Sequence, residues 1–581
     1  MKKRIMATLL AALMTFTMVG CGETNDDPIG RPQGTVIKIY TGGSSEFSWP
    51  AGSREDEIID YIEQKYYDEM HVSLDFQVSR LGSEDFWTKI SASSAGGDSV
   101  DIAVSHTRGG VGIDDRLVQN QSFLGDITED LSDYGENVIE AFSHSLIENS
   151  ISTPLDAITT DDDKIIGIPS VVNPYKFGIL VRKDRMEAVG YTDDAEKANT
   201  LCEATGKNYI LVDNLEDFTA MCKAIKTKYN SEYVVSGAIW DLEKSLTLGA
   251  FGNAGQYTNA AYPNEGEGTI RVGSSNDYYL HVLNQEYEWA RDGVISKDGS
   301  VNLQEKGEEA FVGGKSSVFV LDPTVKHLIE VSRKCKANPD NADAEFTVLG
   351  ALREKRDKTK CQYFKTDAEG NFVLDENDEK IPLKGFMRNT EAVFCAAILK
   401  TSKNTSKIIK FLNWVYKNKD NYELCRYGRK GTDWIDNGDG TYSYPEGLDI
   451  TNPPYSGILS LVENQYMSDL IYAGYTAEER SWIENAKNPD NYVENDVIDY
   501  LLPDNATLYA DISTEKNSLT SYFDNVWNGK NDPMKDNGAQ FKQLARALRE
   551  KSQTGNYGKG RYKKYLDMKQ KRIARITEEN E

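Results

Sequence analysis

Apolar residues recur along this chain with two periods, and the alternation between them organises it. Val36-Ile37-Lys38-Ile39-Tyr40 reads as a short strand, followed by a loop at Thr41-Gly42-Gly43-Ser44-Ser45. Ser53 and Asp56 form a capping-box pattern, after which Ile58, Ile59, Ile62 and Tyr66 recur at helical spacing to about Met70. Val72, Leu74, Phe76 and Val78 alternate as a strand. Ser83 opens a helix through Phe86, Trp87 and Ile90, and Val100 to Val104 is an apolar run that fits a buried strand. This β-α-β-α-β order predicts a parallel sheet covered by helices. Ligands of such sheets lie beyond the carboxyl ends of the strands, here the loops 41–50 and 105–112.

The alternation continues. A turn at Asp161-Asp162-Asp163-Lys164 leads into Ile165-Ile166-Gly167-Ile168-Pro169. Strands are predicted over 177–181, 317–321, 346–349 and 393–399. Helices are predicted from Arg182 onward and over 212–228, 302–313 and 403–416. Asp367-Ala368-Glu369-Gly370-Asn371 reads as a hairpin turn, and the last third is helix-rich. No repeat of fixed period is visible, which disfavours solenoids and propellers.

The first twenty residues stand apart. Lys2, Lys3 and Arg4 precede an apolar run from Ile5 to Met18, too short to span a bilayer comfortably and flanked as a signal peptide is. The run ends in Met18-Val19-Gly20-Cys21, followed by the polar stretch Gly22 to Pro28. This order resembles the lipobox of bacterial lipoproteins, which implies that Cys21 is lipidated and becomes the mature N-terminus; the alternative is a secretory signal that ends near a cysteine. Removal of three basic residues takes the formal charge from −26 to −29. No other stretch of about 20 apolar residues occurs, so the body is expected to be a water-soluble unit on a lipid tether.

A chain of 581 residues exceeds one compact core and predicts two or more domains. The acidic balance repels phosphate backbones, so nucleic acid is not an expected partner. The basic tail Lys551–Arg575 is the exception, read as a terminal helix on an acidic body or as a contact for an anionic membrane or permease. Five histidines without metal-ligand spacing give no zinc site. Six cysteines follow Cys21 in no small disulfide framework and read as scattered core residues, with Cys202–Cys222 and Cys335–Cys361 as possible pairs. Several motifs fail. Gly314-Lys315-Ser316 lacks the first glycine of a phosphate loop, because position 309 is Glu309, and it runs from helix to strand. Asp436-Asn437-Gly438-Asp439-Gly440 has calcium-loop composition out of EF-hand register, and reads better as a turn. HExxH and a GxSxG nucleophile elbow are absent.

The ordered set of segments carries a resemblance. "DDDKIIGIPSVVNPYKFGILVRKD", "FVGGKSSVFVLDPT", "AVFCAAILKTSKNTSKIIKFLNWVY" and "RYGRKGTDWIDNGDGTYSY" follow the lipobox and the first β-α-β-α-β unit. The chain from 36 to about 575 resembles the extracellular solute-binding lipoproteins of carbohydrate ABC transporters. The resemblance implies an α/β, two-lobed periplasmic-binding-protein-like fold, each lobe a mainly parallel sheet flanked by helices, with ligand in the cleft. It implies a signal peptide at 1–20, a tether at 21–35, lobe 1 at 36–168 and 388–450, and lobe 2 at 169–387 and 451–581. Pro169, which fixes φ where the chain leaves lobe 1, suits a crossing segment.

A sugar presents C–H bonds on its faces and hydroxyls at its edge, so its site combines aromatic planes with Asp, Glu, Asn and Arg. The candidates lie in predicted loops at strand ends: Glu46 and Trp49 after the first strand, His106 and Arg108 after the third, and Asn173 and Tyr175 at the crossing. Trp240, Asp322, Asn389, Asp433 and Trp434 complete the set, each with core packing or plain surface as its alternative role, whereas Trp87, Trp289 and Trp414 fit helix cores. The expected function is capture of an extracellular carbohydrate, an oligosaccharide, for an ABC permease, by a monomer that needs no cofactor and performs no catalysis. The competing classes are a surface glycan-binding lipoprotein of another uptake system and a lipid-anchored glycosidase or lyase, whose paired carboxylates would meet only in three dimensions.

Overall fold

The structure is a computed structural model, described over residues 31–43, 51–96, 100–106, 121–144, 146, 153–159, 163–172, 178–237, 259–261, 270–272, 279–296, 304–321, 325–349, 352, 386–387, 394–487, 492–493 and 506–554. Two sheets dominate it. The first has five strands in the order Leu74–Gly82, Thr35–Gly43, Ile102–His106, Phe394–Ile398, Ile168–Pro169. The second has four, in the order Val235–Gly237, Val318–Leu321, Gly178–Arg182, Phe346–Leu349.

The opening β-α-β-α-β unit forms as its pattern predicts. Thr35–Gly43 pairs in parallel with Leu74–Gly82 on one side and Ile102–His106 on the other. The helix Glu55–Met70 covers this sheet with Ile58, Ile59, Ile62 and Tyr66, all buried. Its start differs from the expected Ser53–Asp56 pair: the Gly52 N–H donates to Glu55 Oε2 at 2.9 Å, so Glu55 closes the box. The reason is a neighbouring loop. Ser53 and Arg54 spend their N–H groups on the Pro453 and Pro454 carbonyls. A Cβ at Gly52 would lie 2.3 Å from the Pro454 oxygen, so only glycine admits this approach.

Both sheets are mainly parallel, as expected, with one strand reversed in each. Phe394–Ile398 runs antiparallel to both its neighbours in the first sheet. In the second, Gly178–Arg182 runs antiparallel to both of its neighbours, and only Val235–Gly237 with Val318–Leu321 is parallel. The cause is connectivity. A strand that enters by a short crossing from the other sheet starts at the end where the local β-α-β strands finish, so it runs against them.

Each sheet has its own core. Around the first, Ile37, Ile39, Ile102 and Val104 pack against Ile408, Phe411, Leu412 and Trp414 of the helix Thr405–Val415. Tyr455, Ile458, Leu459 and Val462 join this core, although the sequence reading grouped 451–581 with lobe 2. Around the second, Ile179, Val181, Val318 and Val320 pack with Trp289 and with Phe523, Trp527 and Phe541 of the C-terminal helices Ala506–Trp527 and Ala539–Thr554. At about 1.5–3 kcal/mol per large side chain, these two cores supply the main stabilisation of the halves.

The polar stretch read as a tether to residue 35 ends earlier. Arg31 is buried, donates to the Leu74 carbonyl at 2.9 Å and pairs with buried Glu63 on the helix Glu55–Met70. The five described cysteines of the second and later positions, Cys202, Cys222, Cys335, Cys395 and Cys425, are buried free thiols, so Cys202 and Cys222 do not pair. Among the described residues no helix is long and apolar enough to cross a membrane.

Candidate functional site

The strand registers define a gap. In the first sheet Gly43 lies beside Gly82, Gly42 beside Ser105, Phe394 beside His106 and Cys395 beside Pro169, so these residues share one end. In the second sheet Gly178 lies beside Leu321, Val320 beside Gly237 and Ile179 beside Leu349, again one end. The chain leaves the first sheet at Pro169 and enters the second at Gly178. Eight intervening residues reach about 28 Å at most, so the two ends lie within that distance of each other. The backbone at the second rim is tightly packed: Gly237 has φ +105°, and a Cβ there would lie 1.9 Å from the Val320 oxygen.

Two crossing segments run side by side. Val171 donates its N–H to the Glu463 carbonyl at 2.8 Å, and Gln465 returns one to Val171 O at 2.6 Å. Asn464 of the second segment is fully buried and is held by two groups of the first half and one of its own segment. Its N–H donates to the Tyr422 hydroxyl at 2.6 Å, its Nδ2 donates to Ala141 O at 3.0 Å, and its Oδ1 accepts from Tyr466 N–H at 3.1 Å beside the crossing. Burial pushes the Tyr422 phenol well above its ordinary range, so it stays neutral. A crossing pinned in this way concentrates motion in few backbone dihedrals.

Beside the crossing an aromatic run joins the two cores. Tyr427 lies 5.2 Å from Trp434 and 5.0 Å from Tyr442 between ring centroids. Tyr442 lies 5.6 Å from Tyr472, which lies 5.5 Å from Tyr475. Tyr475 belongs to the packing of Leu180 and Phe319 in the second half, and the Arg333 guanidinium sits 5.2 Å over its ring. The small sheet Ile435–Asp436, Thr441–Ser443, Ile471–Tyr472 supports the run. The tyrosines escaped the sequence reading, although their i, i+2 spacing in Tyr442-Ser443-Tyr444 was the available signal.

The expected ligand residues divide sharply. Asp433 and Trp434 are placed, and not on an open face. Trp434 is 1 % exposed, and its Nε1 donates to Gly428 O at 3.0 Å. Asp433 is fully buried and pairs with Arg54 and Arg429, both at 2.8 Å. An indole so enclosed offers no plane to a sugar, and a carboxylate so paired offers no acceptor; both are structural. His106 is the last residue of its strand, opposite Phe394. Glu46, Trp49, Arg108, Asn173, Tyr175, Trp240, Asp322 and Asn389 lie outside the described residues, as does Cys21. The strands that lead into or out of their loops all end at the gap: Gly43, His106, Gly178, Gly237, Leu321 and Phe394.

The turn at Asp436–Gly440 is spent internally. Lys430 Nζ donates to Asp436 Oδ2 at 2.7 Å, and Asp439 Oδ1 accepts from Thr441. Among the described residues no three His, Cys, Asp or Glu are grouped to hold a metal ion.

No protein-family model matches the chain, and no curated protein matches its sequence. Solved structures do match its shape. The N-glycan transport solute-binding protein NgtS of Streptococcus pneumoniae superposes with a TM-score of 0.55 at 15 % identity, covering 92 % of this chain and 99 % of its own. A human-milk-oligosaccharide-binding, ABC-transporter-associated solute-binding protein of Bifidobacterium longum infantis does so at 0.57 and 11 %, covering 92 % and 99 %. This chain has the solute-binding-protein fold. The alginate-binding protein AlgQ2 shares it at a TM-score of 0.58 and 13 % identity, covering 92 % of this chain and 98 % of its own. The solute-binding-protein fold thus extends over nearly the whole chain, and the gap between its sheets is the candidate site.

Proposed function

We propose that this chain is the substrate-binding component of an ABC importer, which captures an extracellular oligosaccharide between its halves and delivers it to a membrane permease. The observation that carries this reading is the pair of strand ends joined by a short crossing, with a second segment hydrogen-bonded along it. A ligand that touches both rims is bound better when the gap closes, and that difference in affinity drives closure; equal affinity for both states would shift nothing. The fold neighbours support the class of ligand, since their names describe N-glycan, milk-oligosaccharide and alginate binding. The chain acts by binding, with no cofactor and as a monomer. A lipid on Cys21 holds it at the outer face of the cell membrane. Each buried methylene contributes about 0.8 kcal/mol, so two acyl chains suffice for stable attachment.

Titration calorimetry against mono- and oligosaccharides tests the first part: saturable binding of an oligosaccharide without release of new reducing ends is expected. Binding of amino acids or peptides only, or cleavage of the glycan, overturns it. For the anchor, Cys21→Ala is expected to move the protein from the membrane fraction to the medium.

A further inference from the structure

The second sheet carries a pocket at the end remote from the gap. Phe346–Leu349 is the edge strand of that sheet, and its first residue, Phe346, lies beside Arg182, whereas Leu349 lies beside Ile179 at the gap. Phe346 and Leu349 are about 10 Å apart along the strand, and the pocket is lined by Phe346, Thr347 and Val348. The pocket has a volume of about 230 Å³, room for one sugar ring, and lies between this strand and the helix Ala477–Lys487.

Its lining has a definite chemistry. Buried Thr347 and half-buried Asp193 form the floor, and the Thr347 hydroxyl donates to Asp193 Oδ2. The other oxygen, Asp193 Oδ1, is buried and has no hydrogen-bond partner among the described residues. A buried acceptor without a donor costs free energy until a donor reaches it. Trp482, half-buried, forms a wall, and Lys183, Glu478 and Asn485 stand around the rim. An indole plane, an unfilled carboxylate and a rim of both donors and acceptors match a ring with C–H faces and an edge of hydroxyls. Small anions are disfavoured by the two carboxylates. A metal ion lacks a third acidic or His ligand here, since no such group occurs among the described residues.

We propose that this pocket is a second carbohydrate site, outside the interlobe gap, that takes a single neutral pyranose. A pyranose hydroxyl donates to Asp193 Oδ1 and the ring face lies on Trp482. The site stands on its own residues and does not depend on what the gap holds.

Fluorine NMR of the full chain labelled with fluorotryptophan tests it. Trp482→Phe assigns one of the eight indole signals. D-glucose, D-galactose, D-mannose and N-acetylglucosamine are the probes, each raised to about 50 mM, well above a millimolar dissociation constant. At least one is expected to shift the Trp482 signal saturably. Asp193→Asn is expected to weaken that binding about tenfold or more, the loss of a hydrogen bond to a charged acceptor. Unchanged signals from the other indoles verify that the variant is folded. No shift at Trp482 with any of the four sugars overturns the proposal, as does a shift that survives Asp193→Asn. Movement of other indole signals only, with Trp482 still, places binding elsewhere: it overturns this site and leaves the interlobe reading intact.

Discussion

The two halves of the molecule bury their large aromatic residues on different terms. In the first half, Tyr66, Phe411 and Trp414 meet edge to face or tilted at 5.2–5.9 Å, and the Trp414 indole donates outward to Glu69 at 2.7 Å. Trp434 donates to a backbone carbonyl. In the second half, Trp527 donates at 2.8 Å to Glu286 Oε2, and Glu286 is itself fully buried, its Oε1 without a hydrogen-bond partner among the described residues. The first core pairs its buried acids with arginines, Glu63 with Arg31 and Asp433 with Arg54 and Arg429. The second encloses an acid whose donor among the described residues is an indole. Burial pushes the Glu286 carboxyl up to about 8.

The sharpest way to break this contrast is to remove the indoles. Trp527→Ala leaves a large cavity and strips the donor from Glu286. It should cost the second half about 3–5 kcal/mol or more, read as lost hydrogen-exchange protection confined to that half. Trp434→Ala should cost the first half about 3–4 kcal/mol by the same assay, and a binding defect without lost stability would return Trp434 to the ligand site.

Glu286 sharpens the comparison further. Its carboxyl titrates near 4.3 when unfolded and near 8 when folded, so the native state holds the proton over that interval. Its contribution to stability is therefore greatest below about pH 4.3 and falls as the pH rises to about 8. Glu286→Gln should remove that slope from the second half and leave the first unchanged. A slope that persists in this variant assigns it to another group. The smallest effects come from one helix cap in each half. Asn214 accepts from Asp217 N–H at 2.9 Å and Asn418 from Asn421 N–H at 2.8 Å. Asn214→Ala and Asn418→Ala should each cost about 1 kcal/mol, in the second and first half respectively.

Legibility in the sequence followed the range of the interactions. The opening strands and helices, and those at 215–229, 318–321 and 405–415, carry their own period and were readable locally. The one reversed strand in each sheet was not, because its direction depends on how the chain crosses between sheets. Trp434 carried a loop's sequence context, yet the fold packs it on Tyr427 and ties its indole N–H to the Gly428 carbonyl. Arg31 sits in a polar stretch whose composition reads as linker, and its partner Glu63 lies 32 residues on, beside the apolar stripe of a helix. The strand ends that frame the gap were legible because their loops follow apolar runs. The pocket at Asp193 and Trp482 was not, because it joins a turn, an edge strand and a late helix.

The central claim is that a glycan bridges two hinged halves. Labels on the helices Glu55–Met70 and Val325–Ala337, one in each half, report the separation by pulsed dipolar spectroscopy with and without a saturating oligosaccharide found by calorimetry. The account predicts a shorter and narrower distance distribution on binding. An unchanged distribution at saturation would contradict it.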